Sequence, residues 1–252
     1  GQEALEQVDL DDIDEARELG AATLLQVFDG MAEKGHHIRP LVDGQVVPDQ
    51  ALARFKRGDQ NTVPLLVGYN RDEATIFALN PSEQFLYRNR EEFEAGVKGF
   101  AGLYAWPLLW AYPEAEAGAE QPYEAFWRDI NYGWNMHTWA RLNEEADAPA
   151  YLYFFSHTPD SSLGRRFGAY QGAEIPYIFG NGLADDPDEA RMQELVRGYW
   201  VNFARSGDPN GEGLPQWPRY GGDAGYLELN GTPQAGTDLD GWRMMLWDFA
   251  FD

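Results

Sequence analysis

Two short runs, VPLLVG at residues 63 to 68 and AYLYFF at residues 150 to 155, limit the folds open to this chain. A strand with one face in water alternates apolar and polar side chains, so an unbroken apolar run marks a strand covered on both faces. GYLEL, near residue 227, is a third candidate. Between the first two, the segment from Tyr123 to Glu145 places Phe126, Ile130, Trp134, His137 and Arg141 three or four residues apart, the spacing of one helical face. Buried strands joined by long helical segments specify an α/β architecture with a largely parallel sheet. Sheets of that kind rarely stop at three strands, so the chain reads as the C-terminal portion of a larger α/β domain.

The remaining punctuation agrees. Residues 9 to 34 carry acids in the first turn and Ile13, Ala16, Leu19, Leu24, Val27 and Phe28 at roughly helical spacing, broken by Gly20 and Gly35. VDGQVVP reads as a hairpin or surface loop around Asp43-Gly44, and a short helix over residues 49 to 58 ends at Gly58. Asp186-Pro187 opens another helix as N-cap and first position; Met192, Leu195, Tyr199 and Phe203 form its stripe and Gly207 ends it. No repeat or linker divides the 252 residues, which read as one piece of a single domain.

A net charge of −23 repels phosphate backbones and anionic lipid surfaces, which argues against nucleic acid as a partner. There is no cysteine, hence neither a disulfide framework nor a Cys-based metal site, and the compartment is left open. The longest apolar runs fall far short of the ~20 residues that cross a bilayer. The sequence begins without methionine or a signal-like pattern and is expected to be a fragment or a processed product.

Two loops carry the candidate chemistry. YNRDEATIF follows the first strand, and loops beyond the carboxyl ends of parallel strands line the ligand crevice, which places Asp72 and Glu73 where catalysis usually occurs. The competing reading is a charged turn that caps the next helix. FGAYQGAEIPYIFGN, residues 167 to 181, is a two-glycine turn that delivers Gln171, followed by an apolar run, IPYIFG, expected to be buried. A glutamine amide neither gains nor loses a proton near neutral pH.

Six blocks in order, RPLVDGQVVP, VPLLVGYNRDEATIF, WPLLWAYP, YLYFFSHTP, FGAYQGAEIPYIFGN and YWVNFARSGDPNGEGLPQWPRY, resemble the C-terminal half of a type B carboxylesterase, the cholinesterase-like branch of the α/β-hydrolase fold. That resemblance implies an ester hydrolase acting on a small carboxylic ester through a serine acyl-enzyme, with no metal or organic cofactor. In its triad order of Ser, acid, His, Glu73 stands at the carboxylate that orients the base, Gln171 at the histidine, and Glu174 at a supporting acid.

Two departures follow. No G-x-S-x-G occurs in the chain, so the nucleophile and the oxyanion loop belong to an N-terminal half supplied as a second chain or a missing segment. Gln171 cannot take the serine proton or return it, so the chain as given is expected to be inactive or substrate-trapping. Three accounts of Gln171 stand: a substitution made to stall the enzyme, a natural non-catalytic relative used for binding or adhesion, or replacement by another histidine. Of the histidines, His157 follows a strand, His36 and His37 lie in a polar loop, and His137 sits among tryptophans; core or surface roles are expected for all four. Phe85, Tyr87, Tyr104, Trp106 and Trp110 lie between the two loops, where the family folds helices over its gorge.

Overall fold

A computed structural model describes residues 2–35, 40–79, 89–113, 122–180 and 186–251. His36, His37, Phe85 and Tyr87 lie outside the described residues. The chain divides into two compact units, Gly1–Ala51 and Leu52–Asp252.

In the first unit, helix α1 (Gln2–Glu6) precedes the periodic pattern of residues 9 to 34, which α2 (Ile13–Arg17) and α3 (Ala21–Glu33) share out. Asp12 caps α2 by accepting from the Asp14 amide at 2.8 Å, and Gly20 is the extended N-cap of α3. VDGQVVP forms a turn without flanking strands, because Asp43 Oδ1 accepts from the amides of Gln45 and Val47, each at 2.9 Å. Those bonds to the ionised form hold the Asp43 carboxyl below its ordinary value.

After α4 (Ala51–Lys56), the second unit is built on a four-stranded sheet in the order β1 (Leu65–Asn70), β2 (Ala150–Phe155), β3 (Gly225–Leu229), β4 (Gln234–Thr237). The pairs β1/β2 and β2/β3 are parallel, and β3/β4 is antiparallel. Helices α5 (Arg90–Ala101), α6 (Ala105–Ala111), α7 (Pro122–Arg128) and α8 (Trp134–Glu145) lie between β1 and β2. Helices α9 (Ser162–Phe167), α10 (Ile175–Phe179) and α11 (Pro187–Ser206) lie between β2 and β3, and α12 (Gly241–Phe251) follows β4. Among the described residues no helix is long and apolar enough to cross a membrane.

The unbroken apolar character of β2 follows from its two covered faces. Tyr151 and Phe155 pack with Tyr177, Met192, Val196, Tyr199 and Trp217 on the α11 side, whereas Ala150 and Leu152 pack with Val67, Ala140 and Tyr220 on the α8 side. Trp217 is wholly buried and its indole donates to the Leu152 carbonyl at 3.0 Å. A third cluster, with Phe93, Leu108, Tyr112, Phe126, Trp134 and Trp247, joins α5 to α8 and α12.

The helix read from Tyr123 to Glu145 is present, but Asp129–Gly133 between α7 and α8 is a π turn. Around it lies a buried polar network. Arg128 donates to Asp129 Oδ1 at 2.7 Å, the Tyr112 hydroxyl donates to Asp129 Oδ2 at 2.7 Å, and the Trp247 indole donates to the Tyr112 hydroxyl at 2.8 Å. Arg128 Nη1 also reaches the Arg71 carbonyl at 3.3 Å, which ties this helix to the loop after β1.

His137 is a core residue. Its Nε2 lies 3.3 Å from the Tyr69 hydroxyl and its Nδ1 lies 3.2 Å from the Tyr220 hydroxyl. Burial lowers its pKa to about 4 from 6.5. The folded chain therefore binds fewer protons at this group than the unfolded chain between pH 6.5 and 4. The stability linked to it is fully present above pH 6.5 and is lost as pH falls through 4, a contribution on the order of 3 kcal/mol. Urea titrations at pH 7 and pH 4 are expected to show a smaller acid loss for His137→Gln than for the unmodified chain.

Candidate active site

β1 delivers Asn70 to its carboxyl end, and the chain then turns through Arg71, Asp72 and Glu73 into a short 3-10 helix, Thr75–Leu79. Glu73 is 5% exposed and does not serve as a surface cap. One of its oxygens, Oε1, accepts the Asn70 amide at 2.8 Å, whereas Oε2 is buried without a hydrogen-bond partner among the described residues. Burial, reinforced by the nearby charge of Glu174, raises the Glu73 pKa to about 7, against opposing contributions from the Asn70 amide and Arg128.

The turn that carries Gln171 docks against this loop through backbone and side chain. Asp72 N–H donates to the Ala169 carbonyl at 3.1 Å, Ala169 N–H donates to Asp72 Oδ2 at 2.7 Å, and Asp72 and Tyr170 form an isolated parallel bridge. Thr75 Oγ1 donates to the Phe167 carbonyl at 2.7 Å. The Asn70 side-chain amide donates both to the Tyr170 carbonyl at 2.8 Å and to Glu174 Oε2 at 2.5 Å. Asn70 thus joins Glu73, the residue before Gln171, and Glu174 from one position.

Gly168 shows why this junction needs glycine. Its φ is +67°, and a Cβ there would fall 2.1 Å from Asp72 Oδ2. Left-handed backbone strain of roughly 1–2 kcal/mol adds to overpacking of roughly 1–3 kcal/mol. Gly168→Ala is expected to lower stability by about 2–5 kcal/mol in urea unfolding, more than Gly99→Ala, where a Cβ meets nothing within 4 Å.

Gln171 is exposed, and its amide Nε2 donates to the Tyr132 hydroxyl at 2.5 Å; no hydrogen bond joins it to Glu73. Tyr132 lies on the π turn, and burial with the charge of Glu73 raises its pKa. The structure therefore brings Glu73 and Glu174 together through Asn70 and sets Gln171 against Tyr132. Sequence reading missed Asn70 and Tyr132. Asn70 is the one polar residue at the end of β1, a visible signal, whereas nothing in the helical pattern marks Tyr132.

The apolar run after the turn is a correction. IPYIFG, expected to be buried, forms the five-residue α10 with Gly180 as its C-cap, and one turn of helix can bury only one side. Tyr177 is wholly buried, but Ile175 is 49% and Phe179 70% exposed. His157 does not join Glu73. Its Nε2 lies 3.1 Å from both oxygens of the buried Glu189, which also accepts from the Tyr177 hydroxyl and from the Asp160 amide.

The carboxylesterase family model matches residues 3–247. The chain belongs to the carboxylesterase family. Among its relatives, pig (Sus scrofa) liver carboxylesterase is 31% identical over 255 residues, covering 88% of this chain and 42% of that protein. The cocaine esterase of Homo sapiens is 29% identical over 232 residues, covering 83% of this chain and 41% of that protein. Solved structures agree on the fold. A PNB esterase superimposes with a TM-score of 0.78 at 19% identity, covering 97% of this chain and 52% of that one. A Geobacillus stearothermophilus carboxylesterase gives 0.77 at 22% identity, covering 98% of this chain and 53% of that one. The mostly parallel sheet with helices on both faces is that of the α/β-hydrolase fold. The chain spans about two fifths of the length of these curated relatives.

Proposed function

We propose that this chain supplies the acid and the base position of a serine carboxylesterase, with the nucleophile and oxyanion hole contributed by a segment outside residues 1–252. The observation that carries the reading is Glu73, buried at the carboxyl end of a parallel strand with one oxygen fixed by Asn70 and the other without a partner among the described residues. A buried carboxylate oxygen with nothing to accept is costly as a structural device. It is suited to receive a ring N–H from an imidazole placed on the neighbouring turn, where position 171 lies.

In the complete enzyme, a histidine at 171 would remove the serine proton during attack on the ester carbonyl and return it to the departing alcohol. Glu73 would hold the productive tautomer and stabilise the imidazolium. Glu174 would act through Asn70, which pins the turn to the strand end. Gln171 reproduces the donor of an imidazole but not its basicity, so in this chain proton transfer stops at the first step. An ester bound beside a serine would then be held rather than turned over.

Gln171 also supports a second reading, a cholinesterase-like binding or adhesion module with no turnover. Intact masses of every polypeptide in a purified, denatured sample separate the two when read with a p-nitrophenyl ester assay. A second chain, or a chain roughly twice as long, that contains G-x-S-x-G and hydrolyses the ester once Gln171 becomes histidine is expected for the enzyme. A nucleophile-free assembly with no hydrolysis after that change would establish the binding module instead.

A further inference from the structure

A cleft of about 710 Å³ opens between α6 and α12, lined by Arg90, Glu94, Leu109, Trp110, Trp242 and Arg243. None of Glu73, Gln171, Glu174, Asn70 or Tyr132 lines it. Its volume lies within the range of small-molecule sites, and its walls combine two chemistries. Trp110 is 76% exposed and stands edge-on to Trp242, with ring centroids 5.6 Å apart. Isolated exposed apolar residues are ordinary, but a pair of indoles facing one opening is a recognition surface for a flat apolar group.

The second wall is cationic in a protein whose net charge is −23. Arg90 is committed, donating to Glu94 at 2.9 Å and to the Tyr112 carbonyl at 2.8 Å, and Glu94 is further neutralised by Lys98 at 3.1 Å. Arg243 is held more loosely. Its nearest carboxylate oxygens, on Asp240 and Asp129, lie 3.6 and 3.7 Å away, and its Nε is buried without a hydrogen-bond partner among the described residues. Its guanidinium carbon sits 5.7 Å from the Trp242 ring centre and 5.2 Å from that of Tyr112. A guanidinium whose Nη1 stands beyond hydrogen-bond distance of both neighbouring carboxylates, beside the Trp242 indole in a cleft that Trp110 also lines, matches a carboxylate attached to an aromatic or extended apolar body.

We propose that this cleft is a binding site for organic carboxylates with a flat apolar body. The inference stands apart from the ester-hydrolase reading, although an acid released from an aromatic ester belongs to the same class.

The 252-residue chain labelled with 5-fluorotryptophan tests it directly. Trp110→Phe and Trp242→Phe variants assign two of the nine tryptophan resonances in the 19F spectrum. Titration with 1-naphthoate is expected to shift those two resonances saturably. The neutral 1-naphthamide, which keeps the ring and removes the charge, is expected to bind about tenfold more weakly. Arg243→Gln is expected to erase the preference for the acid, and Arg243→Lys to retain part of it. The comparison of acid with amide needs no change at Arg243, so it decides even where Arg243→Gln does not fold. Equal affinity for acid and amide in the unmodified chain, or shifts confined to other tryptophans, would overturn the proposal.

Discussion

Gln171→His, in protein that also contains the nucleophile segment, is expected to raise hydrolysis of a p-nitrophenyl ester by roughly three to six orders of magnitude. The size follows from what the imidazole restores. Without a base at this position, catalysis rests on binding and the oxyanion hole alone; with it, the serine proton has an acceptor at attack and the leaving alcohol has a donor. On the proposed reading Glu73 is available for the partnership, since among the described residues Oε2 has no competing donor to displace. Gln171→Asn, which keeps an amide, is expected to give no gain. A Gln171→His enzyme no faster than the parent would remove Glu73 and position 171 from the mechanism together.

Glu73→Gln is expected to raise the stability of the chain at pH 8 by on the order of 3 kcal/mol while leaving it nearly unchanged at pH 4. The Glu73 carboxyl titrates near 7 in the folded chain against 4.5 in the unfolded one, chiefly because burial penalises its charge. Between those values the folded state holds the extra proton, so the stability linked to this group is fully present below pH 4.5 and is lost as pH rises through 7. Glutamine has no charge to bury, and its carbonyl oxygen can still accept the Asn70 amide. Urea unfolding of both proteins at pH 4 and pH 8 measures the difference; equal responses to pH would show that Glu73 is ionised without penalty. In the Gln171→His enzyme the same change is expected to reduce turnover by about four orders of magnitude. A substitution that stabilises the fold and disables the reaction would mark a carboxylate kept for chemistry.

The parts of the fold that were readable are those in which one signal dominated. β1 and β2 are apolar at successive positions because helices cover both faces, and Asp186-Pro187 states its own helix start through the Asp186 carboxylate, which accepts from the Asp188 and Glu189 amides. β4 was missed because QAGT is short, small and mostly exposed; antiparallel pairing to β3 forms it, not any apolar pattern of its own. The burial of IPYIFG was misjudged because apolar composition does not say which side of a single helical turn meets the core. At the candidate site, the strand-then-loop order exposed Glu73 and the two-glycine turn exposed Gln171. Their connection through Asn70 spans about a hundred positions along the chain and depends on side-chain geometry rather than on residue type. Tyr132 was hidden for a related reason, since a regular helical repeat cannot register a π turn.

That π turn joins two parts of one helix. Upstream, Phe126 and Asp129 are locked into the aromatic cluster and its polar network; downstream, His137 and Ala140 are fitted under the sheet, and Tyr132 at the junction meets Gln171. A π turn closes i→i+5 hydrogen bonds and so holds one residue more than an α turn across nearly the same rotation and rise. Losing one residue between 129 and 133 would let the segment close into an ordinary helix with the aromatic cluster and the sheet contact still in phase, whereas losing one elsewhere in the helix would rotate one end against the other by about 100°. The extra residue is therefore dispensable to the packing on either side of it, and its consequence is local: it is what sets Tyr132 against Gln171.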